Sequence, residues 1–140
     1  MKLLAVLSVV ILAGCGSIAN TVFDSEEAQR YVNVMVQSNR MLKRCAEPTA
    51  TAASMTADAL ELRDTTEDAE EYSRIKFNNP RIAEAGKILL EQVDQLNTRY
   101  TTSAPSTGYC QLKLAQISAA AELVARSIGK KEVVSPIALP

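Results

Sequence analysis

The spacing of apolar residues in the second half of the chain limits the possible folds more than any other feature. Within residues 82–100 and 110–128, apolar residues recur at steps of three or four positions. This period is typical of an amphipathic α-helix with one buried face, and no strand-like alternation competes with it. The spacing predicts two helices with the apolar positions Ile82, Ala85, Leu89, Val93, Leu96 and Tyr100, and Cys110, Leu114, Ile117, Ala121, Val124 and Ile128.

An earlier helix is predicted to begin after Asp24 and to end near residue 45. Asp24 and Glu27 have the spacing of a capping box, and Phe23 occupies the position from which a hydrophobic staple would contact Ala28. The predicted apolar face of this helix comprises Tyr31, Met35, Leu42 and Cys45, with the polar Ser38 at a matching position.

The next helix is predicted to begin near Thr49 or Thr51 and to run to Lys76 or Phe77. Residues 64–66 have weak helix propensity, so a kink or break is expected near Thr65. The predicted apolar positions are Met55, Ala59, Leu62, Ala69 and Tyr72, with Thr66 filling one place.

Turn-forming residues separate these helices. Asn79 is predicted to cap the third helix, and Pro80 suits its first position because the missing N–H is not needed there. Residues 101–108 are rich in Ser, Thr, Pro and Gly and predict a loop. Gly129 is a candidate cap for the end of the fourth helix, and residues 130–140 predict an irregular tail.

The composition argues against several classes of function. The chain has no His, no Trp and 4% aromatic residues, which leaves no His-based triad, no His-ligated metal site and no row of aromatics for stacking bases. Lys and Arg number 15 against 16 Asp and Glu, for a net charge of −1, so there is no basic footprint for nucleic acid. We therefore expect no enzyme activity, no metal, no cofactor and no nucleic-acid partner.

The amino-terminal segment has the pattern of a secretory leader. Lys2 precedes an apolar run that is shorter than the roughly 20 residues of a membrane-spanning helix. The run ends in Leu12-Ala13-Gly14-Cys15, which resembles the lipobox of bacterial lipoproteins. In that family, a peptidase cleaves before the cysteine, which carries a diacylglycerol thioether and usually a third acyl chain such as palmitate.

The resemblance implies a covalent lipid on Cys15 and a division of the chain into four regions. Two or three acyl chains anchor a protein stably to a membrane. Gly16 favours the outer membrane, with the folded part on its periplasmic face, and the inner membrane is the alternative. The regions are a signal peptide at 1–14, a lipidated amino terminus and tether at 15–23, a helical bundle at 24–129 and an irregular tail at 130–140.

With Cys15 modified by lipid, Cys45 and Cys110 form an even pair in the oxidising compartment that the resemblance implies. We predict a disulfide between them, which contributes about 4 kcal/mol in the chain-entropy model; two buried reduced thiols are the alternative. Four helices with short connections predict an all-α fold, a four-helix up-down bundle. That topology brings the end of the first helix and the start of the fourth together, and with them the two cysteines.

The second helix carries the densest charge in the chain. Its acidic stripe, spaced by steps of 3, 4 and 3, comprises Glu61, Asp64, Asp68 and Glu71. The stripe predicts a docking face for a basic partner or a weak divalent-cation site, with a solvated surface as the plain alternative. A second candidate surface is the end of the bundle that carries Cys45, Pro48 and the loop at 101–108.

These features favour a membrane-anchored, periplasm-facing lipoprotein that acts as a non-enzymatic interaction or structural subunit of a bacterial envelope assembly. A phage- or plasmid-encoded exclusion lipoprotein that blocks an envelope receptor is one alternative. A carrier of a small apolar ligand is another, and it requires an apolar cavity of about 300 Å³ or more. Glycan cleavage by two carboxylates, Glu61 with Glu91 or Glu122, is a further hypothesis.

Overall fold

The fold is known from a computed structural model that describes residues 23–76 and 79–128. Within these ranges the chain forms four α-helices: α1 (Ser25–Arg44), α2 (Ala52–Lys76), α3 (Pro80–Thr102) and α4 (Thr107–Ser127). The expected all-α four-helix bundle is therefore confirmed. The predicted signal peptide, the lipidation at Cys15, the Gly129 cap and the tail at 130–140 lie outside the described residues.

Consecutive helices are antiparallel and pack side by side. α1 and α3 each pack along both α2 and α4, whereas no Cα atoms of a diagonal pair come within 8 Å of each other and Tyr31 of α1 reaches Gly86 of α3 through its side chain. Arg44 near the end of α1 pairs with Asp58 near the start of α2, and Lys76 at the end of α2 pairs with Asp24 at the start of α1. The predicted up-down topology is thus confirmed. We call the two ends of the bundle the disulfide end, where α1 ends and α4 begins, and the Asp24 end, where α1 begins and α4 ends.

Asp24 caps α1, as the sequence predicts. Its Oδ1 accepts hydrogen bonds from the backbone N–H groups of Glu26 and Glu27, at 2.9 and 3.1 Å. Two N–H groups that have no partner inside the helix are thereby satisfied. Phe23 remains 64% exposed, so a hydrophobic staple against Ala28 buries little apolar surface.

The start of α3 differs from the prediction in one respect. Pro80 occupies the first turn as expected, but the Asn79 side chain makes no capping hydrogen bond. The backbone carbonyl of Asn79 instead accepts from the N–H groups of Ile82 and Ala83, at 3.0 and 3.1 Å. The Ile82 N–H, which a capping side chain would have satisfied, is therefore satisfied by the main chain.

The buried face of α1 agrees with the predicted face at Tyr31 and Ser38 and differs from it elsewhere. Met35, Leu42 and Cys45, which were predicted to be buried, are half-buried at its edge, and Val34 and Met41 are buried instead. Glu27, a charged residue, is also buried, and a count of apolar residues does not include it. Ser38 is accommodated because its hydroxyl donates to the Val34 carbonyl at 2.8 Å. The buried positions are Glu27, Tyr31, Val34, Ser38 and Met41.

α2 is a single helix of 25 residues, as the predicted length requires, and the break that was one of the two outcomes predicted near Thr65 does not occur. The hydroxyls of Thr65 and Thr66 donate to the carbonyls of Glu61 and Leu62, at 2.9 and 2.7 Å. These bonds satisfy both hydroxyls inside the helix, so the low propensity of the segment does not end it. Thr66 is fully buried, in the place that the sequence assigned to it.

The loop between α3 and α4 is shorter than the predicted 101–108. Both helices extend into that segment, so only residues 103–106 connect them. Ser106 caps α4 by accepting from the N–H of Tyr109 at 3.2 Å. The apolar positions predicted for α4 are all buried, and those predicted for α3 are buried except Ala85, which is half-buried.

Candidate functional site

Cys45 and Cys110 lie side by side at the disulfide end of the bundle. Cys45 is the residue that ends α1, and Cys110 lies in the first turn of α4. Their sulfur atoms are at bonding distance and their Cα atoms are 6.0 Å apart, within the range of a disulfide. The predicted pairing is confirmed by this geometry, and it links the first helix to the last.

The disulfide borders a shallow cleft of about 140 Å³. Cys110 is 2% exposed, whereas Cys45 is half-buried. The Tyr100 hydroxyl donates a hydrogen bond to Cys110 Sγ, so a polar group from α3 reaches the buried sulfur. Other residues that line the cleft are Ala50, Thr51, Met55 and Pro105.

The acidic stripe lies on the solvent-facing side of α2, and all four of its carboxylates are exposed. Arginines from two helices approach three of them. Arg30 of α1 pairs with Asp68, Arg63 lies 3.7 Å from Asp64, and Arg74 lies 3.7 Å from Glu71. The stripe is therefore a partly neutralised surface that any basic partner would share with these arginines.

The carboxylates singled out for chemistry are scattered over the bundle. No group of three Asp, Glu or Cys side chains within residues 23–76 and 79–128 is arranged to hold a metal ion. Glu61 and Glu122 lie on the diagonally opposite helices α2 and α4, whose Cα atoms do not come within 8 Å of each other, and Glu122 pairs with Arg126. Glu91 is exposed on α3. None of these three carboxylates lines either of the clefts described in this section.

A buried polar cluster at the Asp24 end is the feature that the sequence reasoning missed. It comprises Glu27, Tyr31, Ser73 and Gly86, which come from α1, α2 and α3. The hydroxyls of Tyr31 and Ser73 lie 3.0 Å apart, and the Ser73 hydroxyl also acts on the Glu27 carboxyl by lowering its pKa. Burial raises the pKa of Tyr31 to about 12. Burial also raises the pKa of Glu27, so the folded chain favours the protonated form of both groups.

Gly86 provides the space for this cluster. A Cβ atom at Gly86 would overlap the Tyr31 hydroxyl oxygen. The sequence did contain a signal, because Glu27 precedes Tyr31 by one helical turn and Ser73 continues the buried line of α2. Only the packing of the helices shows that these polar groups meet.

Tyr72 ties the start of α1 to the end of α2 on the surface beside this cluster. The Arg30 guanidinium lies 4.4 Å and the Lys76 ammonium 5.0 Å from the centre of its ring, which is cation–π geometry. Its hydroxyl donates to carboxylate oxygens of Asp24 and Glu26, each at 3.2 Å. The Lys76 ammonium, 2.9 Å from Asp24, and the backbone N–H groups of α1 lower the pKa of Asp24 to about 2.

Glu27→Gln is expected to stabilise the bundle increasingly as the pH rises. The Glu27 carboxyl ionises more readily in the unfolded chain than in the folded one, so the wild type loses stability between the ordinary Glu pKa of 4.5 and the raised pKa of the folded state. A glutamine has no such loss. Urea unfolding midpoints of the two proteins, measured from about pH 4 to about pH 7, should therefore diverge.

Glu26→Gln is the matched control for this measurement. Hydrogen bonds from Arg30 and Tyr72 lower the pKa of Glu26, so this carboxylate stabilises the fold above its ordinary pKa and its loss should act in the opposite direction. Parallel pH profiles for Glu27→Gln and the wild type would contradict the account of the buried carboxyl.

The larger described cleft, of about 290 Å³, lies between the end of α2 and the start of α3. It is at the surface, and four of its lining side chains are charged. It is therefore not the enclosed apolar cavity that the ligand-carrier hypothesis requires. The lining includes Glu70, Arg74, Pro80, Glu84 and Lys87.

None of the described helices combines the length and the apolar character needed to cross a membrane. Protein-family models, curated proteins and solved structures contain no match to the chain. The function is therefore inferred from the residues of the chain itself.

Proposed function

We propose that this chain is a lipid-anchored envelope protein whose helical bundle acts by binding, as a non-enzymatic interaction or structural subunit of a larger assembly. The observation that carries the proposal is the lipobox-like motif that ends at Cys15 after a short apolar run. Two or three acyl chains would hold the protein durably, since each buried methylene contributes about 0.8 kcal/mol. The pairing of Cys45 with Cys110 supports an oxidising compartment, because disulfides persist there and are rare in the cytosol.

The antiparallel topology determines which surface such an anchor leaves free. Residues 16–23 would connect Cys15 to the start of α1, and this tether of eight residues reaches at most about 28 Å when extended. The Asp24 end would therefore lie near the membrane, and the disulfide end would point away from it. Gly16, in the position where related leaders carry Asp for inner-membrane retention, supports the periplasmic face of the outer membrane.

The disulfide end is the first binding surface that we propose. Ser103, Ala104 and Ser106 of the short loop are exposed there, as is Pro48. The disulfide holds this surface in one shape, which reduces the entropy lost on binding. The acidic stripe of α2 is the second surface, and a partner there would replace or share the arginines that already lie beside it.

Cys15→Ser is expected to abolish both lipidation and cleavage of the leader. The thiol accepts the lipid as a thioether, and a serine hydroxyl does not form that bond. Mass spectrometry of the membrane fraction should find a wild-type chain that starts at Cys15 with added acyl mass, and an uncleaved precursor for the variant. Ser17→Ala is the matched control and should be processed like the wild type. An unmodified wild-type chain that starts elsewhere would rule out the anchor.

Ala104→Arg in the loop is expected to reduce crosslinked capture of a partner from intact envelopes by roughly tenfold or more, as at an interface hot spot. Charge reversal of the stripe by Glu61→Lys and Glu71→Lys tests the second surface. Glu91→Lys, an exposed substitution on α3, is the control for a change of charge alone. If the loop and stripe variants all capture the partner as well as the wild type does, both surfaces are wrong. Hydrolysis of peptidoglycan or lipid by the purified chain, lost on replacement of one Glu or Asp, would contradict binding as the function.

A further inference from the structure

The two cysteines of the disulfide differ in their exposure. Cys110 is 2% exposed and belongs to the core, whereas Cys45 is half-buried, and both residues line the cleft of about 140 Å³. A thiolate that cleaves a disulfide attacks one of its two sulfurs, so access decides which of them reacts. Cys45 is the sulfur that a reagent in the cleft reaches more readily.

The helix ends distinguish the same two sulfurs electrostatically. Cys110 lies in the first turn of α4, where the positive end of the helix dipole stabilises a thiolate. Cys45 ends α1, where the negative end of the dipole disfavours one. Lys43 and Arg44 also lie near Cys45, but the Arg44 guanidinium is engaged by Asp58. The charge of a broken disulfide is therefore better placed on Cys110.

Tyr100 adds a third distinction. Its hydroxyl lies 2.7 Å from Cys110 Sγ and donates to it, from a side chain that is itself 9% exposed. A hydrogen bond to this sulfur stabilises the negative charge that develops there while the S–S bond breaks, because bonds to charged groups are the stronger ones. Burial of the sulfur opposes that charge, and the Tyr100 hydroxyl is the group that offsets this cost.

We propose that Cys45 is a site of thiol–disulfide exchange with a cysteine thiol from outside the chain. The incoming thiolate attacks Cys45 Sγ and forms a new S–S bond. The bond between Cys45 and Cys110 breaks, and its electron pair leaves on Cys110 Sγ. The resulting thiolate is held by the Tyr100 hydroxyl and the start of α4. It either takes a proton from water or attacks Cys45 Sγ again, which breaks the new S–S bond, releases the external thiolate and restores the original disulfide. The inference depends on the described bundle alone and not on the lipid anchor.

Regioselective exchange with glutathione tests the proposal on the full chain. Free thiols are first blocked with iodoacetamide, glutathione is then added, and the reaction is stopped with N-ethylmaleimide before peptides are mapped by mass spectrometry. We expect glutathione on Cys45 and N-ethylmaleimide on Cys110 to outnumber the reverse product by roughly tenfold. The same chain in concentrated urea should lose this preference, because it has neither the cleft nor the helix ends.

Tyr100→Phe isolates the contribution of the hydroxyl. Loss of its hydrogen bond should slow exchange at Cys45 by roughly tenfold, whereas Tyr109→Phe, which changes a half-buried neighbour over Arg99, should leave the rate unchanged. In a second reaction, glutathione is replaced with a thioredoxin-type oxidoreductase that keeps only its attacking cysteine. The faster of the two reactions shows whether a small-molecule thiol or a protein thiol is the better partner for Cys45. Equal labelling of both cysteines in the folded wild type, or preferred attack on Cys110 by both thiols, would overturn the proposal. Equal rates for Tyr100→Phe and Tyr109→Phe would overturn the role of Tyr100.

Discussion

Replacing Cys45 and Cys110 together with alanine is expected to lower the free energy of unfolding by about 4 kcal/mol. The bond joins positions with a sequence separation of 65, so its removal gives the unfolded chain many more conformations. For a domain whose total stability is of the order of 5–15 kcal/mol, this is a large share. Urea denaturation of the oxidised wild type and of the double variant would measure the difference.

Replacing both cysteines avoids leaving one thiol unpaired in the core. Wild-type protein treated with dithiothreitol should unfold at nearly the same urea concentration as the double variant, since both lack the cross-link. Cys15→Ala, outside the bundle, should leave the midpoint unchanged. A difference below about 1 kcal/mol between the oxidised wild type and the double variant would show that the chain-entropy account does not apply here.

Gly86→Ala is expected to destabilise the bundle, against the usual effect of alanine in a helix. Alanine ordinarily stabilises a helix interior by about 1 kcal/mol relative to glycine. At Gly86 the added methyl group would overlap the Tyr31 hydroxyl oxygen and would lie 3.3 Å from Tyr31 Cζ. Tyr31 is fully buried and would lose its hydrogen bond to Ser73 by moving aside. We expect a net loss of about 1–3 kcal/mol in the free energy of unfolding.

Tyr31→Phe identifies the cause of this loss. Without the hydroxyl, the nearest contact of the new methyl group disappears, so Gly86→Ala should cost less in the Tyr31→Phe background or even stabilise the chain. A double-mutant cycle from urea unfolding gives the coupling between the two positions. Gly108→Ala is the matched control, because a Cβ there meets nothing within 4 Å. The overlap would be refuted if Gly86→Ala cost the same with and without the Tyr31 hydroxyl.

The buried faces were predictable where the apolar period is regular. In α4 each predicted apolar position is buried, and the polar Ser118 is buried beside them and donates to Asn39 of α1. In α1 the prediction placed Tyr31 and Ser38 correctly, but it chose Met35 and Leu42 where Val34 and Met41 are buried, and it missed Glu27. The Ser73 hydroxyl of α2 acts on the Glu27 carboxyl, and Ser38 bonds to the main chain of its own helix. A count of hydrophobic residues cannot predict which buried polar groups will find a partner, because that depends on how the helices pack.

For the candidate surfaces, the sequence likewise predicted what depends on one helix and missed the contacts between helices. The pairing of Cys45 with Cys110 followed from their number and from helix direction, both of which the sequence contains. The acidic stripe was correctly placed on one face of α2, but Arg30, which neutralises Asp68, comes from another helix. Tyr100 likewise reaches Cys110 across the bundle. Contacts of this kind arise only when the helices are brought together.

The pattern of helix packing also sets an order of assembly during synthesis. The most extensive interfaces join α1 to α4 and α2 to α3. α2 and α3 are consecutive and form a helical hairpin from local contacts, which are made fastest. α1 is made first and can pack against α2 as soon as that helix has emerged, but the side of α1 that contacts α4 stays uncovered until the last helix is made. Cys45 therefore emerges well before Cys110, and any factor that meets the nascent chain in that interval meets Cys45 as a thiol without its partner.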